Sequence, residues 1–308
     1  MASALLIDMV ETAYQTSTTH DAWLSQLTAC AGRILGEEHS VVGYTLGFPG
    51  PDEGVEVAHV HVVGEHTWLS GVKDFLNAVP PEMVDHVLPK GIVNMTLSMF
   101  AEPQPDRTTE DWLDAHMREH GYQDVWSTLA LNPTGQGIVF SSPLREPTTL
   151  SPAAQQTWLK MAVHIAAASR LRWNLSTPAD KAQPFDTAEA ILEPDGKPVH
   201  LTHTTTSTAA QERLRRATRL MDKARGSLRR TAPLEALDLW EGLVAGHWSL
   251  IEHIDTDGRR FILAKKNAPH VVDPRQLTLR ERQVVNFVVQ GHHNKLIAYE
   301  LGLGTSTV

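Results

Sequence analysis

Apolar residues recur along the chain with two periods, and the switch between them lays out the elements. Trp23, Leu24, Leu27, Cys30, Ala31 and Ile34 follow helical spacing, so a helix with one buried face is predicted, ending near Gly36. Residues 40–48 and 55–63 then read as strands, joined by a turn rich in Pro and Gly (Pro49, Gly50, Pro51, Gly54). Helical spacing returns over residues 66–79, 81–88 and 109–120, the last stopped by Gly121. Two more strands, 125–131 and 137–140, flank a turn at Asn132, Pro133, Thr134 and Gly135. A long helix over 152–174, capped by Ser151, closes this first stretch.

Residues 176–185 are rich in Pro, Thr and Ala and mark a boundary. Beyond it the pattern predicts a strand at 188–192, a turn at Glu193, Pro194, Asp195 and Gly196, and a basic helix over about 207–228. A helix over 234–244 follows, then a hairpin of strands 248–254 and 260–264 turning at Asp255, Asp257 and Gly258. The last segment is helical again. Thr278 and Glu281 form a capping box, each side chain placed to satisfy a free backbone N–H at a helix start. Val284, Val285, Phe287, Val288 and Val289 make its apolar stripe, and Gly291 stands where a helix end needs positive φ. Ile297, Ala298 and Leu301 continue into a second short helix, Gly302 and Gly304 bracket a turn, and Thr305, Ser306 and Thr307 offer hydroxyl caps for a third. Helix, sharp turn, helix is the predicted layout of this end.

That last segment resembles the LuxR-type DNA-binding domain. Leu277, Thr278, Arg280, Glu281, Gly291, Asn294, Lys295, Ile297, Ala298, Leu301, Thr307 and Val308 fall on the family's pattern at fixed offsets. His292 and His293 replace the usual polar pair, and Gly304 stands where Ser is commoner. The pattern stops at Val308, within the first turn of the recognition helix, so the segment is expected to be an incomplete, C-terminally truncated helix-turn-helix. The resemblance implies DNA contacts from Asn294, Lys295, Thr305, Ser306 and Thr307, mostly to phosphate. By order of elements, the first stretch resembles a GAF domain and the second a PAS domain. The fold class expected is therefore α+β: a GAF-like sensor domain over 1–176, a PAS-like domain over 177–272, and an all-α helix-turn-helix segment over 273–308.

Charge sharpens the division. Residues 1–150 carry 6 Lys and Arg against 20 Asp and Glu, a balance of −14; residues 151–308 carry 21 against 16, or +5, which sums to the whole-chain −9. Phosphate neutralisation dominates nucleic-acid affinity, so any DNA contact belongs to the second half. The eight Lys and Arg between Arg213 and Arg230 are read as a solvated helix face, with DNA or an acidic partner as the sharper reading. With 42% apolar and 20% charged residues the composition is that of a globular protein. No apolar run reaches membrane-spanning length and the N-terminus lacks the pattern of a signal peptide, so a cytoplasmic protein is expected. The single cysteine, Cys30, fits a reducing compartment and lies on an apolar stripe, as a buried inert thiol would.

Chemistry-bearing motifs are sparse. His59 and His61 lie on one strand with His66 nearby; partly exposed histidines are preferred over a metal site, because no carboxylate or cysteine stands at ligand spacing. Trp126, Trp158, Trp173, Trp240 and Trp248 are read as core. No nucleotide-binding, zinc-protease or nucleophile-elbow motif occurs, and neither an enzyme nor a cofactor is expected. Together these features imply a DNA-binding transcriptional regulator, a homodimer, whose sensor modules respond to a small ligand or partner. The alternative is a ligand-binding or interaction protein that has lost DNA binding by truncation and acts through dimerisation.

Overall fold

The computed structural model describes residues 2–36, 39–47, 56–64, 94–96, 121–131, 136–174, 185–240, 242–244, 247–255 and 257–266, together with Val284, Val288, Asn294 and Ala298. The order is α1 (Ala2–Ala13), α2 (His20–Leu35), β1 (Val41–Gly47), β2 (Glu56–Val63), β3 (Asn94–Thr96), β4 (Asp124–Leu131), β5 (Gly137–Leu144) and α3 (Pro152–Asn174). Then come β6 (Ala188–Leu192), β7 (Pro198–Leu201), α4 (Thr208–Lys223), α5 (Pro233–Leu239), β8 (Leu243–Val244), β9 (Trp248–Ile254) and β10 (Arg260–Lys266). The fold class is α+β.

Two five-stranded antiparallel sheets organise these elements, ordered β2-β1-β5-β4-β3 and β7-β6-β10-β9-β8. Numbered within their own halves, both read 2-1-5-4-3. The sequence carries no visible repeat, yet the chain builds one sheet order twice. Alternation within the strands shows why each sheet has a covered face: Ala188, Ala190 and Leu192 are buried while Glu189 and Ile191 are not.

The first sheet presents Val41, Trp126, Ala130, Ile138 and Phe140 to Trp23, Leu24 and Leu27 of α2 and to Trp158, Met161 and Ile165 of α3. Ser151 caps α3, its hydroxyl accepting from the Ala154 N–H at 3.2 Å, and Thr19 caps α2 in the same way. The second sheet presents Ala190, Leu192, Leu250, Ile262 and Ala264 to Leu214, Ala217 and Met221 of α4 and to Trp240. These are parts of one continuous hydrophobic cluster, bridged by Leu6, Ile7, Met9, Val10 and Ala13 of α1. Trp126, Trp158, Trp240 and Trp248 are buried, as expected of core residues, whereas Trp173 is only half-buried.

Several elements differ from the pattern reading. α1, β3 and β7 were not legible as separate elements. The basic helix is broken: Ala224–Leu228 winds more widely and kinks at Gly226 before a single helical turn at Arg229–Thr231. The helix expected over 234–244 stops at Leu239, and Val244 pairs with Trp248 in β8. Tertiary contacts explain the early stop. The Gly242 carbonyl accepts from the Leu250 N–H at 2.8 Å, and a Cβ on Gly242 would lie 2.6 Å from Tyr14 Cζ, so the backbone here is held against α1 and the sheet. The expected helices over 66–79, 81–88 and 109–120 lie outside the described residues.

Gly43 sets how closely α2 approaches β1. A Cβ there would sit 2.1 Å from Thr28 Oγ1 and 3.1 Å from Phe140. Thr28 is itself fixed, its hydroxyl donating to the Leu24 carbonyl at 2.8 Å. Gly43→Ala is therefore expected to destabilise the fold by about 1–3 kcal/mol in chemical denaturation, with partial recovery in the double variant carrying Thr28→Ala. A Gly43→Ala protein as stable as the parent would show that α2 does not seat this tightly.

Candidate functional site

Among the described residues, three places bring functional groups together. The first is the joint between the two sheet-bearing halves. On α1, Asp8 and Glu11 lie one turn apart and face Arg225 and Arg229 across it. Arg225 Nε stands 3.1 Å from Glu11, and its Nη1 stands 2.7 Å from Glu252 on β9. Arg229 pairs with Asp8 and lies 3.6 Å from Glu11. Glu252 also accepts from Arg260 Nε at 2.6 Å, and Arg260 reaches Asp222 at 3.2 Å.

Arg225 is the centre of this network. Its side chain is only 11% exposed, and its guanidinium lies 4.8 Å from the centre of the Trp240 ring. Burial lowers its pKa, opposed by Glu252 and Glu11. Glu11 is pushed up, by burial first and against the pull of Arg225. A second arginine performs a similar task at the far end of α1. Arg172 on α3 donates to the Thr18 carbonyl at 2.7 Å and to the Gln15 carbonyl, with its guanidinium 4.7 Å from the Trp23 ring centre. Burial lowers its pKa to about 10.

The second place is the other face of the first sheet. Val42, Tyr44, Leu46, Leu129 and Val139 point away from α2 and α3 and are buried. Among them Ser127 and Ser141 share a hydrogen bond of 2.9 Å, and Tyr44 also bonds to Ser141. Burial pushes the Tyr44 hydroxyl up to about 12, so it stays a neutral donor and acceptor. A row of three hydroxyls on an apolar floor can orient a small ligand.

The third place is a histidine group whose partners the local sequence did not reveal. His61 Nε2 lies 2.9 Å from Asp21, His59 Nδ1 lies 3.8 Å from the same oxygen, and the His20 ring is 4.8 Å from that of His59. α2 supplies His20 and Asp21, which is why strand spacing could not find the carboxylate. A bulge in β2 sets the geometry: Gly43 pairs with His61 and Thr45 with Ala58, while His59 takes φ 49°. Burial, then His59 and Arg172, lower His20 to about 4. Among the described residues no group of three His, Cys, Asp or Glu is arranged to hold a metal ion. His66 lies outside them. Cys30 is buried, with Arg33 Nη2 3.1 Å from its sulfur.

Of the residues expected to meet DNA, Asn294 is helical and exposed. Ala298, one turn on, is helical and buried. Val284 and Val288 are helical too, but Val288 is 53% exposed rather than covered by an apolar stripe. Lys295, Thr305, Ser306 and Thr307 lie outside the described residues.

The joint generates a test. Arg225→Met keeps a side chain on Trp240 but leaves Glu11 and Glu252 without their shared buried cation, and is expected to cost ~3–5 kcal/mol at neutral pH. Glu11→Gln should behave differently. A carboxyl raised in the fold favours folding below its ordinary value of 4.5, and that contribution is lost as pH rises through the raised value. Relative to the parent, Glu11→Gln should therefore gain stability between pH 4 and pH 7. Denaturation midpoints at the two pH values check this, and an unchanged difference would contradict a raised Glu11.

No curated protein matches the chain. Among solved structures, the chain is similar to the phycoerythrobilin-bound GAF domain from a cyanobacterial phytochrome, with 14% identity over 55% of this chain and 94% of that one, at a TM-score of 0.38. It is similar to the N-acylhomoserine lactone dependent LuxR family transcription factor CepR2 from Burkholderia cenocepacia, with 16% identity over 57% of this chain and 99% of that one, at a TM-score of 0.38. A third is the bacteriophytochrome RpBphP3 from the photosynthetic bacterium R. palustris, with 12% identity over 84% and 61% of the two chains and a TM-score of 0.34. Residues 275–308 match the family model of the bacterial regulatory proteins of the luxR family, and the chain thus carries a luxR-family helix-turn-helix segment at its C-terminal end.

Proposed function

We propose that the protein is a cytoplasmic, homodimeric transcriptional regulator in which two sensor modules bias a C-terminal DNA-binding segment. The observation that carries this reading is the luxR-family match over 275–308. Asn294 exposed and Ala298 buried one turn later support it, since a DNA-facing polar side chain and a small core-facing one are what such a helix needs. Phosphate contacts are assigned to Lys295, Thr305, Ser306 and Thr307, and the positive balance of the second half favours them.

Residues 1–176 act as a GAF-like sensor and 177–272 as a PAS-like one, supported by the shared 2-1-5-4-3 order of their sheets. The small ligand is assigned to the face of the first sheet that carries Tyr44, Ser127 and Ser141. Its effect passes through the joint. A ligand that binds one arrangement of the halves more tightly shifts their population, and Arg225 exchanges partners only if α1 moves relative to β9. No described helix is long and apolar enough to cross a membrane.

Selection of bound duplexes from a random pool tests this reading. With a helix-turn-helix that runs through a complete recognition helix, enrichment of a common sequence is expected, with Asn294→Ala weakening the binding. Lys295→Gln is expected to weaken binding to all sequences alike and to lower the salt slope by about 1. Retention of no duplex, even at low salt, would sink the regulator reading.

A further inference from the structure

Basic residues between Arg213 and Arg230 face in different directions. Arg225 and Arg229 turn inward to Asp8, Glu11 and Glu252. Arg213, Arg216 and Lys223 do the opposite. Ala210, Leu214, Ala217, Thr218 and Met221 form the buried side of α4, and at 100° per residue Arg216 and Lys223 fall directly opposite, with Arg213 on the flank. All three are exposed, and among the described residues none has an ion-pair partner. Arg219 lies on the same side but donates to the Asp195 carbonyl at 2.8 Å, tying α4 to the β6–β7 turn. Glu212 is the one carboxylate on this face, and Asp222 is engaged by Arg260.

A cationic row on a firmly seated helix differs from a loose charge run. α4 is pinned by its buried side and by Arg219, and Ser207 caps its start through the Ala210 N–H at 3.2 Å. The three cations therefore project from backbone positions of fixed spacing, and only their side chains must order when an anionic surface arrives. Their position in the chain indicates which surface. Eight residues lie between Lys266, the end of β10, and Arg275, where the luxR-family match begins, which makes nine residue-to-residue steps. A chain of that length spans at most ~32 Å, so a duplex held by the C-terminal segment stays within reach of the body that carries α4. The second contact is then intramolecular and gains from a high effective concentration.

We infer that the solvent face of α4, through Arg213, Arg216 and Lys223, binds the phosphate backbone of the duplex engaged by the C-terminal segment. This rests on the DNA-binding reading above and extends it to a second surface. The contact is independent of sequence. It adds affinity and salt dependence, and selection stays with the helix-turn-helix.

The test is binding of the full chain to a fluorescein-labelled duplex of fixed sequence, across a range of salt, followed by anisotropy. The parent is compared with the triple variant Arg213→Gln, Arg216→Gln, Lys223→Gln and, separately, with Lys295→Gln. Circular dichroism melts confirm that each variant is folded. If all three contacts are made, the triple variant should lower the slope of log K against log salt by about 2–3, at ~0.9 per phosphate, with the preferred sequence unchanged. A parent that binds with a triple variant of the same slope and affinity would overturn the inference and leave the regulator reading standing. Binding lost in the triple variant but indifferent to Lys295→Gln and Asn294→Ala would support the α4 contact and overturn the helix-turn-helix one. No binding by the parent at low salt overturns both. If the triple variant instead loses only binding to poly-glutamate, α4 faces an acidic protein partner and the inference is wrong.

Discussion

The guanidinium of Arg225 holds the two halves of the molecule in one arrangement. It reaches Glu11 on α1 and Glu252 on β9 while lying over Trp240, so elements from both halves converge on one buried cation. Burying a charge is costly unless opposite charges offset it, and Glu11 and Glu252 stand within ion-pair distance. α1 is clamped at its other end by Arg172 and the Trp23 indole, which donates to the carbonyls of Thr12 and Ala13. The kink at Gly226 turns Arg229 toward Asp8 beside the first pair.

Around this joint the chain repeats one sheet order with different coverings. The first sheet is packed by α2 and α3, and its close contact depends on Gly43 beneath Thr28. The second is packed by α4 and by Trp240 after α5, and its early helix stop depends on Gly242 beneath Tyr14. Both glycines are places where one element approaches the backbone of another. The two sheets present different outer chemistry. The first carries hydroxyls of Tyr44, Ser127 and Ser141 on an apolar floor, whereas the second is flanked by a helix whose solvent side is cationic.

Periodicity was enough for the elements whose local signals agree with their tertiary setting. α3 begins and ends where its Ser151 cap and apolar spacing predict, and the hairpin of β9 and β10 turns where Asp255 and Gly258 predict. β3 and β7 are three and four residues long, too short for a period to show. The stretch expected as one helix to residue 244 is split: the helix stops at Leu239, and the Gly242 carbonyl is satisfied by the Leu250 N–H of β9.

The sequence by itself determined the α+β class, the charge division and the luxR-type pattern at the C-terminal end, because each is written in neighbouring residues. Only the tertiary structure decided which charges are spent. Arg225 and Arg216 look alike in a string of eight basic residues, yet one is largely buried between two carboxylates and the other faces solvent. Likewise His59 and His61 gained Asp21 and His20 from a helix about forty positions earlier. Ion-pair energy depends on distance and burial, and neither is a property of the local sequence.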